Sequence, residues 1–243
     1  MFDMETDYWW YVGLHRLVLH FLRQESTRSG PLLNVLDAGC GTGRLMELFQ
    51  ADGLEAIGLD FSREALRLSR VRGVGSLVQG SISEIPFPSD LFDVVVSLDV
   101  VDCLEGDAIL RALSEMHRVL KPQGTLILNL PAYNFLRSQH DLAQHILHRF
   151  NSKELRSLLD QIGFQLPVCT YRNMFLFPVA AAVRLLKRRV SKKQPRLRSD
   201  LKPLPHAINK ALTWILTAEN SLIRAGLSMP LGLSVFCVAR KLL

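Results

Sequence analysis

Cysteine is scarce in this chain: Cys40, Cys103, Cys169 and Cys237 lie far apart in 243 residues and form no Cys-x-x-Cys pair. That spacing argues against a zinc ribbon and against a disulfide framework, and it fits a reducing compartment, the cytoplasm. The acidic start, with Asp3, Glu5 and Asp7, is unlike the basic-then-apolar opening of a secretory leader. No run reaches the roughly 18 apolar residues that a membrane span needs. The longest uncharged apolar stretches, 174–183 and 229–239, stop short of it. Phe, Tyr and Trp are missing from 178–213, so the most basic part of the chain has no interleaved stacking platform and nucleic acid is a poor partner for it. There is no internal repeat.

Hydrophobic residues make up 48% of the chain, enough for a sizeable core, and the length suits one α/β domain with an insertion. Charge is concentrated. Residues 184–202 hold nine Lys/Arg against the single acid Asp200, while the whole chain carries only +6. The basicity is one local block, and two readings of it stay open. It is a solvated face, or residues 174–202 touch an anionic membrane surface or a lipid-linked substrate, because apolar residues lead into the charges. The second reading implies a cytoplasmic protein with peripheral contact at the inner membrane face.

Helical and strand patterns alternate along the middle of the chain. A leading helix over 7–24 opens on Tyr8, Trp9, Trp10 and Tyr11, and Ser29-Gly30-Pro31 breaks it. Strands are predicted at 32–37, 56–60, 76–79, 92–98 and 124–130, with helices at 44–52, 63–72 and 107–120 between them. Lys121-Pro122-Gln123-Gly124 reads as a turn in which Gly124 supplies the conformational freedom. A polar loop, 131–150, precedes a helix at 152–162 capped by Gly163, a strand at 165–171 and a last strand at 233–240. The pattern predicts a Rossmann-like α/β fold: a doubly wound, seven-stranded, mostly parallel sheet with an N-terminal helix and an insertion before the last strand. It divides the chain into a helical cap (1–30), a cofactor-binding core (31–171), a basic helical insertion (172–232) and the final core strand (233–243).

The most informative stretch is Val35-Leu-Asp-Ala-Gly-Cys-Gly-Thr-Gly43. Glycines at 39, 41 and 43 let a backbone bend at a strand end and let a ligand approach closely, and the following helix N-terminus favours a polar or anionic group. A dinucleotide fingerprint needs its third glycine at position 44, which is Arg44, so an NAD-dependent oxidoreductase is disfavoured. Asp60 ends the next strand, where an acid in a doubly wound fold accepts hydrogen bonds from ribose hydroxyls; a plain strand-end acid is the alternative. The glycine spacing after Leu36-Asp37 resembles the first motif of class I S-adenosylmethionine-dependent methyltransferases. Ile85-Pro-Phe-Pro-Ser-Asp-Leu-Phe-Asp93 and Glu115-Met-His-Arg-Val-Leu-Lys-Pro-Gln-Gly124 are similar to that family's signatures before its fourth and fifth strands. The Trp9-Trp10 helix and the His140-Asp141…Arg149-Phe150 loop look like a bacterial, small-substrate, type 11-like branch.

The resemblance implies S-adenosylmethionine as cofactor, held by Asp37, Gly39, Cys40, Gly41, Gly43, Asp60, Phe61, Ser81, Ile82 and Asp99. Ser81 stands where relatives often have an acid for the adenine amine, and Asp102-Cys103 stands where many have Glu-His. It implies methyl transfer to a small-molecule or lipid-linked acceptor, with oxygen favoured and a non-catalytic cofactor-binding scaffold or sensor as the competing reading. His140, Asp141 and Tyr133 are the candidate catalytic residues. Trp10, His15, Arg16, His145 and Arg149 are the candidate substrate contacts. If 141–149 is helical, Asp141, His145 and His148 share one face. That grouping is open between a solvated loop, a base or substrate contact, and a metal site; no metal is expected. Asn129-Leu-Pro-Ala-Tyr133 superficially resembles the Asn-Pro-Pro-Tyr motif of nucleic-acid amino methylases. It falls after the wrong strand for that role.

Overall fold

A computed structural model describes residues 2, 4–30, 32–137, 141–142, 144–190 and 204–242, without side-chain detail for 184–190. Strands β1 (Val35–Ala38), β2 (Ala56–Asp60), β3 (Leu77–Gln79), β4 (Phe92–Leu98), β5 (Leu120–Pro131), β6 (Phe164–Arg172) and β7 (Ser234–Lys241) form one sheet, ordered β3-β2-β1-β4-β5-β7-β6. β1 pairs in parallel with β2 and β4, and β4 with β5, whereas β7 runs antiparallel between β5 and β6. This is the doubly wound, mostly parallel sheet that the alternation predicts. β1, β4 and β5 read as near-continuous apolar runs because helices cover both faces, and Val94, Val95, Val96, Leu126, Ile127 and Leu128 are all fully buried. Strand order reverses at β1, so the loops after β1 and β4 part and leave a crevice at their carboxyl ends.

The helices are α1 (Trp9–Ser29), α2 (Arg44–Ala51), α3 (Arg63–Val71), α4 (Asp107–Val119), α5 (Ser152–Ile162), α6 (Phe177–Val190) and α7 (His206–Arg224). Their ends follow local chemistry. The Ser62 hydroxyl accepts from the Ala65 N–H at 3.2 Å to start α3, and the Asn151 side chain accepts from the Glu154 N–H at 2.9 Å to start α5. Gly163 closes α5 in the left-handed region, φ +103°.

Three expectations need correction. The leading helix runs five residues further than predicted, to Ser29, because Glu25 near its end is held by Arg28 and by Arg240 of β7. The segment 121–124 is not a separate turn. β5 starts at Leu120 and bulges, pairing Phe92 with Leu120 and then Val94 with Thr125, and the left-handed residue is Gln123 (φ +65°), not Gly124. Gly124 is instead a close approach, since a Cβ there would sit 2.8 Å from the Lys121 carbonyl. The condition that 141–149 is helical is not met among the described residues: beyond Asp141 and Leu142 they form a turn and irregular chain.

α1 and α7 pack together although about 200 residues separate them. The Asn220 amide donates to the Gly13 carbonyl at 2.7 Å, the Trp9 N–H donates to Asn209 at 2.9 Å, and Asn209 donates back to the Asp7 carbonyl at 2.8 Å. The inner face of α1 (Leu14, Leu17, Val18, Phe21, Leu22) belongs to the main core. Phe21 packs on Phe236 of β7, so α1 covers that face of the sheet and reaches the crevice with its first turns.

Candidate active site

The site starts from the bend after β1. The N–H groups of Gly39 and Cys40 both donate to the Leu59 carbonyl, at 2.7 and 3.0 Å, and tie the bend to β2. A Cβ at Gly41 would meet no atom within 4 Å, so this point of the loop faces open space. Gly43 is the opposite case: at φ +81° it begins α2, and a Cβ there would fall 1.9 Å from the Ser69 hydroxyl of α3. Asp60 accepts from the Gly41 N–H through one carboxylate oxygen and from the Ser62 N–H through the other, both at 2.8 Å. It holds the loop, and its remaining lone pairs face the same crevice.

A cavity of about 740 Å³ extends from this loop. Asp37, Gly39, Cys40, Gly41 and Asp60 line one side, and Asp99, Val100, Asp102, Arg149 and Pro131 line the floor. Trp10, Tyr11, Leu14 and His15 of α1, with Leu176, Val179 and Ala180 around the start of α6, close it. Glu5 joins the wall from the segment before α1. It hydrogen-bonds the Thr42 hydroxyl and pairs with Arg72 at 3.2 Å, while Arg72 also donates to the Thr42 carbonyl. The chain's first residues thus strap the glycine loop from outside.

Burial sets the protonation inside. Asp37 is raised from 3.8 to about 7 by desolvation and by the charge of Asp60. Asp99 ends β4 in the left-handed region (φ +55°) and accepts from the Asn129 amide at 2.8 Å. Burial pushes it up to about 6, against that hydrogen bond and the Arg172 and Arg149 charges. Asp102 goes well above the ordinary carboxylate range, through burial and the nearby Asp99, and its Oδ1 has no hydrogen-bond partner among the described residues. His15 is driven down to about 3 by burial and by Arg44, Arg172 and Arg72, so it is neutral at physiological pH.

The structure thus places Asp37, Gly39, Cys40, Gly41, Asp60, Asp99, Trp10, His15 and Arg149 around one cavity. Gly43 lies just behind the loop. Phe61, 80% exposed, Ser81 and the buried Ile82 stand outside the lining; the Ser81 hydroxyl accepts from the Ser83 N–H at 3.1 Å. Arg16 faces outward and donates to Thr217 of α7 at 3.3 Å. Asp141 is buried in an ion pair with Arg149, which also donates to the Ala132 carbonyl at 2.9 Å. Tyr133, at φ +58°, stacks on Tyr171 with ring centroids 5.0 Å apart. His145 is exposed in a turn, and His148 hydrogen-bonds Glu154 at 2.7 Å. His140 lies outside the described residues. Among the described residues, no group of three His, Cys, Asp or Glu side chains is placed to hold a metal.

Sequence reasoning missed Glu5 and Asp102 as wall residues. Asp102 was visible only as a departure from the family's Glu-His pair. Nothing local marks Glu5, which becomes a wall residue only because α1 folds back over the loop.

A glycine bend at the switch point of a doubly wound sheet, an acid ending the next strand and an enclosed crevice define a nucleoside-binding α/β domain. Residues 36–128 match the family model described as a methyltransferase domain. A Mycolicibacterium smegmatis protein named a probable S-adenosylmethionine-dependent methyltransferase is 31% identical over 135 residues, 54% of this chain and 52% of that protein. The ubiquinone/menaquinone biosynthesis C-methyltransferase of Shewanella halifaxensis is 30% identical over 155 residues, 59% of this chain and 58% of its own length. The matched stretch spans little more than half the length of these curated relatives. An S-adenosylmethionine-dependent methyltransferase from Archaeoglobus fulgidus shares the fold, with a TM-score of 0.55 at 16% identity, over 91% of this chain and 94% of that one. Residues 36–128 are thus similar to the catalytic domain of S-adenosylmethionine-dependent methyltransferases. This chain's residues fit that family's cofactor: the loop is open at Gly41, and Asp60 lies beside it at the cavity mouth.

Proposed function

We propose that this chain moves a methyl group from S-adenosylmethionine to a small-molecule or lipid-linked acceptor by in-line displacement, with an oxygen acceptor the first to test. The observation that carries this reading is the single chamber linking the glycine loop and Asp60 to Asp99, Asp102 and Trp10. S-adenosylmethionine, when bound, supplies an electrophilic methyl on a cationic sulfur. Gly39, Cys40, Gly41 and Asp37 would hold its amino-acid end, and Asp60 would hold its sugar.

What the chain adds is mainly alignment, worth about 7–11 kcal/mol in well-oriented reactions. Trp10, Tyr11 and Leu14 keep water from the chamber. Asp99, at about 6, is ionised at neutral pH and positioned to take a proton from an acceptor hydroxyl, while Asp102, held well above the ordinary carboxylate range by burial, lines the same chamber. Asp141 and Tyr133 support that floor through Arg149 and Tyr171. His140 remains a candidate base from sequence alone.

Asp60→Asn is expected to weaken binding of S-adenosylhomocysteine, read by calorimetry, by roughly tenfold, the loss of one charge-assisted hydrogen bond. Turnover is tested with isotopically labelled methyl donor and cell extract. Labelled product supports transfer, whereas cofactor binding without any labelled acceptor favours the scaffold or sensor reading.

A peripheral contact between residues 174–202 and an anionic membrane is proposed on a separate observation: Phe175 and Val179 are 49% and 67% exposed just before the basic block. Among the described residues no helix is long and apolar enough to cross a membrane. The described part of the segment ends at Val190. Flotation with anionic liposomes at low salt tests this, and a protein left at the bottom of the gradient rejects it.

A further inference from the structure

Arg172, the last residue of β6, is fully buried, and none of its three guanidinium nitrogens has a hydrogen-bond partner among the described residues. The two acids closest to it electrostatically are already committed. Glu219 accepts from the backbone N–H groups of Asn173 and Phe175, and Asp99 accepts from Asn129. Burial lowers Arg172 only to about 10, so it keeps its charge at neutral pH. A buried, charged fork with no partner is costly unless a ligand completes it.

Arg172 does not itself line the cavity, but its neighbours tie it to one end of that chamber. Arg172 pairs across the sheet with Ser234, so the two side chains share a face, and Ser234 lines the cavity with its own hydroxyl unpartnered among the described residues. The guanidinium carbon lies 5.8 Å from the centroid of the Trp10 ring, which also lines the cavity. Gly13 makes the room: a Cβ there would come within 3.1 Å of the Arg172 Nη2. Beside this polar end the wall is apolar, with Leu176, Val179 and Ala180.

We propose that Arg172 is the anion anchor of the acceptor pocket and that the acceptor is a small molecule with a carboxylate or phosphate next to an apolar body. The planar fork grips either oxyanion through two parallel N–H donors once the Trp10 ring swings aside, and Ser234 adds a third donor. The inference rests on the methyl-transfer reading for calling the ligand an acceptor. The anion site itself does not depend on it.

The test is calorimetric titration of octanoate, octyl phosphate and inorganic phosphate into the whole chain, with and without S-adenosylhomocysteine. Wild type is expected to bind at least one of the two amphiphiles, and the tighter of them identifies the head group. R172M is expected to weaken that binding by roughly tenfold or more while leaving S-adenosylhomocysteine affinity unchanged. It should melt at or above the wild-type temperature, because an apolar chain replaces an unpaired charge. R172K, which keeps the charge but not the fork, falls between and carries the comparison if R172M does not fold. Equal binding by wild type and R172M, or no binding of either amphiphile by wild type, overturns the anchor. Anion binding that depends on Arg172 in a chain that ignores S-adenosylhomocysteine supports the anchor and overturns the methyl-transfer reading instead.

Discussion

Three buried groups in this cavity pull its pH response in opposite directions, two carboxyls against one imidazole. Asp37 is raised to about 7 from 3.8, so the folded state holds a proton that the unfolded chain has released. Its stabilising contribution is full below about pH 4 and is lost as pH rises toward 7. Asp99 acts in the same sense over a narrower window, up to about 6. His15, lowered to about 3 from 6.5, does the reverse: the unfolded chain takes up the proton, and stability is lost as pH falls through that interval. Asp37→Asn is therefore expected to gain stability relative to wild type as pH rises from 4.5 to 8, measured by chemical denaturation of the cofactor-free protein. A difference that stays flat across that range contradicts the buried, protonated carboxyl. None of this was legible in the sequence, where Asp37 is one acid after an apolar run; its raised value comes from the strands that enclose it and from Asp60 nearby.

The elements around the crevice depend on a few tight contacts. Gly43 joins the loop to α2 and has α3 packed against it, with Ser69 too close for any side chain. Gly43→Ala is expected to cost about 2–4 kcal/mol, the left-handed penalty plus the overlap. Gly73 supplies the control: it has φ +85° but open space around it, so Gly73→Ala should cost only about 1–2 kcal/mol. Equal losses in the two variants, by denaturant titration, would mean that α3 yields to the added methyl. At this scale the sequence was readable. Gly163 announces the helix end it makes, because a capping turn joins residues only a few positions apart. The bulge in β5 was not readable, since it is imposed by pairing with β4, a separate stretch of chain.

Over the whole molecule, the chain's leading helix and the second helix of the insertion act as one wall. α1 buries Leu14, Leu17, Val18, Phe21 and Leu22 in the core. At about 1.5–3 kcal/mol for each large apolar side chain, removing them rivals the entire stability of a domain, about 5–15 kcal/mol. A chain lacking residues 1–24 is therefore expected to lose its cooperative thermal transition, so such a truncation cannot isolate what α1 does in the cavity. Trp10→Ala asks the question directly, because Trp10 lies on the cavity side and outside the main core cluster. It is expected to keep a cooperative melt and lose turnover; full turnover would leave α1 as a structural helix alone.

Sequence alone determined the alternation of strands and helices, the glycine bend, the acids in β1 and at the end of β2, and the Gly163 cap. Each of these is a short-range matter: side-chain period, backbone freedom at glycine, and hydrogen bonds between near neighbours. Only the tertiary structure decided that Glu5, Trp10 and Asp102 meet in one chamber, that Asp37 and Asp99 hold protons above their ordinary range, and that Arg172 is enclosed without a hydrogen-bond partner among the described residues. Those outcomes depend on desolvation and on contacts between segments as far apart as Gly13 and Asn220, which no local pattern encodes.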